Sequence, residues 1–145
     1  MHRFSSVVLV DGRGWLLLQE RDEHPVIDPE RWGFVGGGVE DGEDYEAAAY
    51  RELAEETGVR LDNGLEIFGT FEVLHPHCFA ETGELDEFQL WATRTALTDD
   101  DIVLGEGRQI VFVDPAQVAR LELTASATVA LGEFLRSGLY QELTA

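Results

Sequence analysis

Closely spaced glutamates in the segment that follows Gly37 have the spacing of a metal site. Glu43 comes after five intervening residues, and after seven more the chain continues Arg51-Glu52-Leu53-Ala54-Glu55-Glu56-Thr57-Gly58-Val59. Like charges four residues apart on an exposed helix repel by roughly a few tenths of a kcal/mol, and by more when partly buried. Because the donors are all oxygen atoms and the segment contains no His or Cys, the expected ion is Mg²⁺, with Mn²⁺ second and zinc not expected.

A helix over residues 44–57 must position these carboxylates. Its composition favours a helix that begins after an Asp-Gly-Glu-Asp N-cap signal and ends at Gly58. At about 100° per residue, two faces are expected. The face for chemistry carries Ala48, Glu52, Glu55 and Glu56. The face for packing carries Ala49, Leu53 and Thr57.

Two glycine-rich turns complete the candidate site. Gly36-Gly37-Gly38 precedes the helix, and its backbone is free to approach a ligand and to offer carbonyl oxygens to a metal or N–H groups to an anion. Glu106 lies much further along the chain between Gly105 and Gly107, just before an apolar run. Since two glycines permit an unusual backbone path, we expect this loop to present the Glu106 carboxylate to the helix face.

The whole pattern resembles the signature sequence of the Nudix hydrolases, which is Gly, five residues, Glu, seven residues, then Arg-Glu-apolar-x-Glu-Glu-x-Gly-apolar. All nine specified positions match, at Gly37, Glu43, Arg51, Glu52, Leu53, Glu55, Glu56, Gly58 and Val59. At average residue usage, a coincidental match has a chance on the order of 10⁻⁸ per starting point. The likeness extends to Trp32-Gly33-Phe34-Val35-Gly36-Gly37, which is similar to the strand before this box, although many relatives have proline where Val35 stands.

The resemblance implies an α/β/α sandwich with a mixed β-sheet, and hydrolysis of a nucleoside diphosphate linked to another moiety by attack of water at phosphorus. It also implies roles for particular side chains. The expected metal ligands are the Gly37 carbonyl, Glu52, Glu55, Glu56 and Glu106. The expected catalytic residues are Glu52, Glu56 and Glu106, with Glu52 and Glu106 the leading candidates for the general base. The expected supporting residues are Glu43 and Arg51. The expected substrate-binding residues are Arg21, Gly36 and Gly38.

Two other functions remain open at this point. A non-catalytic module that senses a nucleotide metabolite would keep the box without turnover, and the intact glutamate set argues against it. An enzyme similar to isopentenyl diphosphate isomerase would use the same scaffold and need a cysteine, for which Cys78 outside the box is weak support. The neighbouring His75-Pro76-His77 has metal-capable side chains, but its spacing matches no standard zinc site.

Composition limits the partners. The chain has 145 residues, 44% of them hydrophobic, and a formal charge of −19. The length predicts one compact domain over residues 1–145, and the charge opposes binding of a nucleic acid polymer. The resemblance implies that this one domain is a Nudix domain and that its partner is a small nucleotide. Its apolar runs are too short for a membrane span, and one cysteine cannot form an internal disulfide. We therefore expect a cytoplasmic protein without membrane association, for which a homodimer is possible.

The remaining elements follow from apolar runs and turn residues. A hairpin is predicted around Asp11-Gly12-Arg13-Gly14, and a loop with Glu81-Thr82-Gly83-Glu84 is predicted to join a second antiparallel pair. Thr124 is predicted to cap a final helix. Strands are predicted at residues 4–10, 15–19, 65–74, 88–95 and 110–113.

Overall fold

The computed structural model of the chain describes residues 2–22, 30–74 and 85–145. These residues form a seven-stranded mixed sheet with helices on both faces, which confirms the predicted α/β/α sandwich. The strands are Arg3–Val10 (β1), Leu16–Glu20 (β2), Trp32–Gly33 (β3), Val35–Gly38 (β4), Glu66–Val73 (β5), Asp86–Arg94 (β6) and Gln109–Val113 (β7). The α-helices are Tyr45–Thr57 (α1), Ala125–Leu135 (α2) and Gly138–Thr144 (α3), with 3₁₀ turns at Asp99–Asp101 and Pro115–Arg120.

Strand β1 shows why the sheet needs helices on both faces. Its last four residues are all buried, and successive side chains of a strand point to opposite faces. Val7 and Leu9 pack in the cluster that includes α1, whereas Val8 and Val10 pack in the cluster that includes α2. This continuous apolar run is therefore a strand whose two faces are both covered by helices.

The strands β1 and β2 diverge soon after their hairpin, and the segment leading to the box lies between them. Only Val10 and Leu16 pair directly between the two strands. Strand β3 then pairs with the end of β2, and β4 pairs with the start of β1, where Gly37 lies opposite Ser5. This divergence places the three glycines between two strands and beside α1. Gly36-Gly37-Gly38 was predicted as a turn, but these residues form the end of β4 because they pair with β1.

Most predicted elements are present. The five predicted strands differ from the observed ones by at most two residues at either end, and β5 and β6 form the predicted antiparallel pair. The joining loop predicted around Glu81 lies outside the described residues. Thr124 caps α2 by accepting a hydrogen bond from the Ala127 N–H, but α3 follows it, so α2 is not the final helix.

Within the described residues, no helix combines the length and apolar character needed to cross a bilayer.

Candidate active site

Helix α1 has the predicted ends. The Asp44 carboxylate accepts a hydrogen bond of 2.7 Å from the Ala47 N–H, and Gly58 adopts the left-handed conformation with φ of 75°. Between these ends, Glu52 and Glu56 lie one turn apart and are each only 8% exposed. Glu55, predicted on the same face, is turned toward solvent with 59% of its side chain exposed. Of the four box glutamates, three lie on this helix, and the helix brings two of those three into the interior of the site.

The glycines of β4 lie against the Glu52 carboxylate. A Cβ on Gly37 would stand 2.5 Å from the Glu52 Cδ, so no other residue fits there without displacing the carboxylate. Gly36 pairs with Ser6 of β1, and a Cβ there would clash with the Ser5 carbonyl. The end of β4 is glycine-rich because strand β1 lies against Gly36 and a carboxylate lies against Gly37.

The Arg51 guanidinium donates hydrogen bonds to three glutamates, and we call these four residues (Glu43, Arg51, Glu52 and Glu55) the Arg51 cluster. The guanidinium donates to both Glu43 oxygens, at 2.7 and 2.9 Å, and to Glu52 Oε1 at 2.8 Å. It also donates to Glu55 Oε2 at 3.3 Å and to the Gly38 carbonyl at 2.8 Å. The hydrogen bonds from Arg51 lower the pKa of Glu43 to about 2. Burial raises the pKa of Glu52 in spite of its bond to Arg51.

Glu56 lies in a different environment, together with Gln19 and Glu106; these three residues are called the Glu56 cluster. Its Oε2 accepts a hydrogen bond of 3.2 Å from Gln19 Nε2. Burial first, and then the negative charges of Glu106 and Glu52, raise the pKa of Glu56 to about 7. Of the described groups that shift this pKa, only the neutral Gln19 amide lowers it, and none is a cation. The carboxylate is therefore buried beside like charges that no described cation compensates.

The loop over residues 103–107 reaches Glu56 by closing over the end of α1. The Val103 N–H donates to the Thr57 carbonyl at 2.9 Å, and the Gly105 N–H donates to the Glu56 carbonyl at 2.8 Å, so the loop satisfies carbonyls that a helix end leaves free. A Cβ on Gly105 would stand 2.5 Å from the Glu55 carbonyl oxygen. Glycine allows this contact, and the next residue, Glu106, then lies beside the Glu56 carboxylate as expected.

Comparison with known proteins identifies the family of this chain. A sequence model described as the NUDIX domain matches residues 2–134. The chain belongs to the Nudix family. An RNA pyrophosphohydrolase of Caulobacter vibrioides is 48% identical over 62 residues, which are 43% of this chain and 32% of that relative. The match therefore spans about a third of the relative's length.

Solved Nudix structures share the fold. The MutT protein from Methanosarcina mazei Go1 superposes with a TM-score of 0.76 at 21% identity, covering 93% of both chains. The NUDIX domain of Shewanella oneidensis NrtR, solved in complex with ADP ribose, gives a TM-score of 0.74 at 19% identity, covering 94% of this chain and 87% of that one. At these identities the likeness establishes the architecture.

The donors of the Nudix box suit a hard divalent cation. Glu52, Glu56 and Glu106 are neighbours and offer only oxygen, which Mg²⁺ prefers. In the described part of the chain, no three His, Cys, Asp or Glu side chains are already arranged to hold a metal ion. Two Arg51 contacts, to Glu52 and Glu55, occupy oxygens that such an ion would need. The donor chemistry and the uncompensated charge on Glu56 fit the cation, and its binding would require side-chain rearrangement.

Two predicted regions outside the box have different outcomes. Arg21 follows β2, and its backbone N–H donates to the Arg31 carbonyl at 2.8 Å. Its buried Nε has no hydrogen-bond partner within the described residues, and substrate contact by Arg21 stays a prediction. The residues His75, His77 and Cys78, considered above for a soft metal or an isomerase, lie outside the described residues.

Gln19 is a residue of this Nudix site that the sequence analysis did not identify. Its side chain is buried and bonds both to Glu56 and to the loop that carries Glu106. The available signal was an amide at the end of the apolar run Leu16-Leu17-Leu18, because a buried polar group needs a hydrogen-bond partner. The partner itself is far away in sequence and could not be inferred from that signal.

Proposed function

We propose that this Nudix protein is a Mg²⁺-dependent hydrolase that cleaves the pyrophosphate linkage of a nucleoside diphosphate joined to another moiety. The observation that carries the proposal is the uncompensated Glu56 cluster. Two unit charges 4 Å apart interact by about 4 kcal/mol at an effective dielectric near 20, so carboxylates held this way favour a divalent cation. A phosphate substrate would meet the same repulsion and would need the same cation. Mn²⁺ is the expected substitute.

Each box residue has a role in this proposal. Glu52, Glu56 and Glu106 would hold the ion, together with the Gly37 carbonyl and with Glu55 once it leaves Arg51. Bound Mg²⁺ supplies neutralisation of the pyrophosphate oxygens and a lowered pKa for water. Arg51 keeps Glu52 and Glu43 in place through its planar fork. Arg21, Gly36 and Gly38 are proposed to contact the substrate.

Bond changes in the proposed reaction balance with water as the only co-substrate. Glu52 or Glu106 accepts a proton from the attacking water, and the water oxygen forms a new bond to phosphorus. The bridging P–O bond of the anhydride breaks, and its electron pair leaves with the second phosphate. Neither a cysteine nor a serine nucleophile is required, which separates this proposal from the isomerase alternative.

RNA is a second candidate substrate, because curated relatives are named RNA pyrophosphohydrolases. Internal RNA linkages are phosphodiesters, so a pyrophosphate bond is present only at a phosphorylated end. The charge of −19 opposes binding of the rest of the polymer. We therefore favour a small nucleotide, and propose that residues 1–145 form a single domain acting in the cytoplasm, in agreement with the single cysteine.

The test is a substrate panel with matched variants. It comprises nucleoside di- and triphosphates, dinucleoside polyphosphates, nucleotide sugars, ADP-ribose and an RNA oligonucleotide with a 5′-triphosphate. We expect turnover of at least one small nucleotide with Mg²⁺ and none with EDTA. Glu56→Gln should lower turnover by about a hundredfold or more, whereas Glu46→Gln, an exposed acid of the same helix, should change it less than about twofold.

Binding of a panel member without turnover would instead support a sensing module. Turnover of the RNA alone would identify the second candidate. Wild-type rates for Glu56→Gln would show that Glu56 is not a metal ligand.

A further inference from the structure

The Gln19 side chain connects two parts of the site that come from distant segments. Its Nε2 donates to Glu56 Oε2 at 3.2 Å and to the Glu106 carbonyl oxygen at 2.8 Å. The Glu106 carbonyl oxygen can only accept a hydrogen bond, so it fixes the amide orientation with Nε2 toward both partners. One neutral group therefore contacts the helix carboxylate and the loop at once.

The loop lies close enough to β2 for this contact only because of its second glycine. Gly107 has a φ of 88°, and a Cβ there would stand 2.8 Å from the Glu20 carbonyl oxygen and 3.2 Å from Gln19 Nε2. The next N–H, of Arg108, donates to the same Glu20 carbonyl at 2.9 Å. The end of β2 thus anchors the loop through a backbone bond and through the Gln19 amide.

We infer that Gln19 is a positioning residue that sets the distance and orientation between Glu56 and the Glu106 loop, and so shapes the oxygen-lined metal site between them. The inference rests on the proposed function. Unlike Arg51, the amide supplies no positive charge, so it orients Glu56 without neutralising it. The negative charge then remains for a divalent cation.

A purely structural role for Gln19 makes a different prediction. If the amide only satisfied a buried polar position, its loss would lower stability and leave metal affinity unchanged. If it positions the ligands, metal affinity should fall beyond any change in stability, because partners that orient metal ligands typically contribute about 10- to 100-fold in affinity.

Titration with Mn²⁺ alone, followed by electron paramagnetic resonance of the free ion, separates these roles without a substrate. Gln19→Met keeps the length of the side chain and removes both donors. The matched control is Gln109→Met, since Gln109 is an exposed residue of β7 whose amide donates to Glu20 Oε1 at 3.0 Å. We expect Gln19→Met to weaken Mn²⁺ binding by about 10- to 100-fold and the control by less than about twofold.

Hydrogen exchange gives a second readout in the metal-free protein. In Gln19→Met, exchange of the Glu106 and Gly107 amides should accelerate, while amides of β6 should exchange as in the wild type. Wild-type Mn²⁺ affinity in Gln19→Met would overturn the inference. Failure of the wild type itself to bind Mn²⁺ would overturn the proposed function.

Gly107→Ala tests the contact between Gln19 and the loop from the loop side. It replaces Gln19→Met as the test variant if Gln19→Met does not fold. The added Cβ should push the loop away from Glu20 and Gln19 and weaken Mn²⁺ binding, although every metal-ligating side chain is retained. Because both changes disrupt one contact, the double variant should bind Mn²⁺ more tightly than the product of the two losses predicts. Unchanged affinity in Gly107→Ala, or multiplicative losses, would contradict the inference.

Discussion

The Arg51 cluster and the Glu56 cluster both contain glutamates of helix α1, but their electrostatics are opposite. In the first, a guanidinium bonds to both Glu43 oxygens and the pKa of Glu43 falls to about 2. In the second, burial and two neighbouring carboxylates raise the pKa of Glu56 to about 7. A glutamate is an ion-pair partner or a candidate metal ligand according to what the rest of the fold places beside it.

The donors that approach each cluster explain the difference. Arg51 is charged and lies on α1 itself, so it neutralises its partners through contacts that are mostly local. The group that approaches Glu56 is the neutral Gln19 amide from β2, and the loop that approaches it adds a further carboxylate. The fold therefore concentrates unneutralised charge at one end of the helix, where we propose that the metal binds.

The largest effect is expected from Glu106→Gln, which removes charge from the loop half of the Glu56 cluster. We expect kcat to fall by two to four orders of magnitude, roughly the range for loss of a general base, with a smaller change in KM. Steady-state kinetics with the substrate found in the panel measure this split, and Glu46→Gln is the control. A structure with Mg²⁺ and a substrate analogue in which the Glu106 carboxylate lies beyond one water of every metal and of the attacking oxygen would contradict the assignment.

Gly37→Ala tests whether the position of the Glu52 carboxylate matters. Glu52 belongs to the Arg51 cluster, and its charge also raises the pKa of Glu56. The new Cβ would stand 2.5 Å from the Glu52 Cδ. We expect the flexible Glu52 side chain to move in response, and the backbone to stay in place. We expect about a 10- to 100-fold loss of turnover with a change in unfolding free energy near 1 kcal/mol. The control is Gly12→Ala, where a Cβ meets nothing within 4 Å. Equal turnover in the two variants would show that the Glu52 position is unimportant.

Glu56→Gln should stabilise the metal-free protein at alkaline pH. Because the pKa of Glu56 is raised from 4.5 to about 7 in the native state, its contribution to stability is present below pH 4.5 and is lost as the pH rises through about 7. Urea unfolding in EDTA should find the variant more stable than wild type by about 2 kcal/mol at pH 8 and similar at pH 4. Saturating Mg²⁺ should reverse the order at pH 8. A difference in unfolding free energy that stays constant from pH 4 to pH 8 would contradict the raised pKa of Glu56.

Glu43→Gln should have the opposite and smaller effect. The lowered pKa of Glu43 means that its stabilising contribution is present above pH 4.5 and is lost as the pH falls through about 2. We expect the variant to be less stable by about 1 kcal/mol at pH 7, since the ion pair is partly open to solvent. Urea unfolding at decreasing pH should show this difference shrinking below pH 4.5. A difference in unfolding free energy that grows as the pH falls would contradict the assignment of Glu43 as an ion-pair partner of Arg51.

The local elements of the chain were predictable from sequence because their signals are local. Asp44 caps the start of α1 and Gly58 caps its end, and each cap bonds to a residue nearby in the sequence. The apolar runs that predicted the strands are also local, because each lies within one short segment. The parallel pairing of β1 with β6 joins segments about 80 residues apart, so no local pattern shows it. Sequence predicts no helix after α2, yet α3 follows it, capped by the Ser137 side chain that accepts a hydrogen bond from the Tyr140 N–H.

For the site, the sequence by itself determined the residue types: the box glutamates, three consecutive glycines before them, and a glutamate between two glycines. Only the tertiary structure decided which of these carboxylates are neutralised, which are buried, and which face solvent. Glu55 and Glu56 are adjacent in sequence, yet one pairs with Arg51 and the other lies beside Gln19 and Glu106. The physical reason is that a helix fixes only the direction in which a side chain leaves it, while burial and charge come from β2 and the 103–107 loop, which pack against that helix from distant parts of the chain.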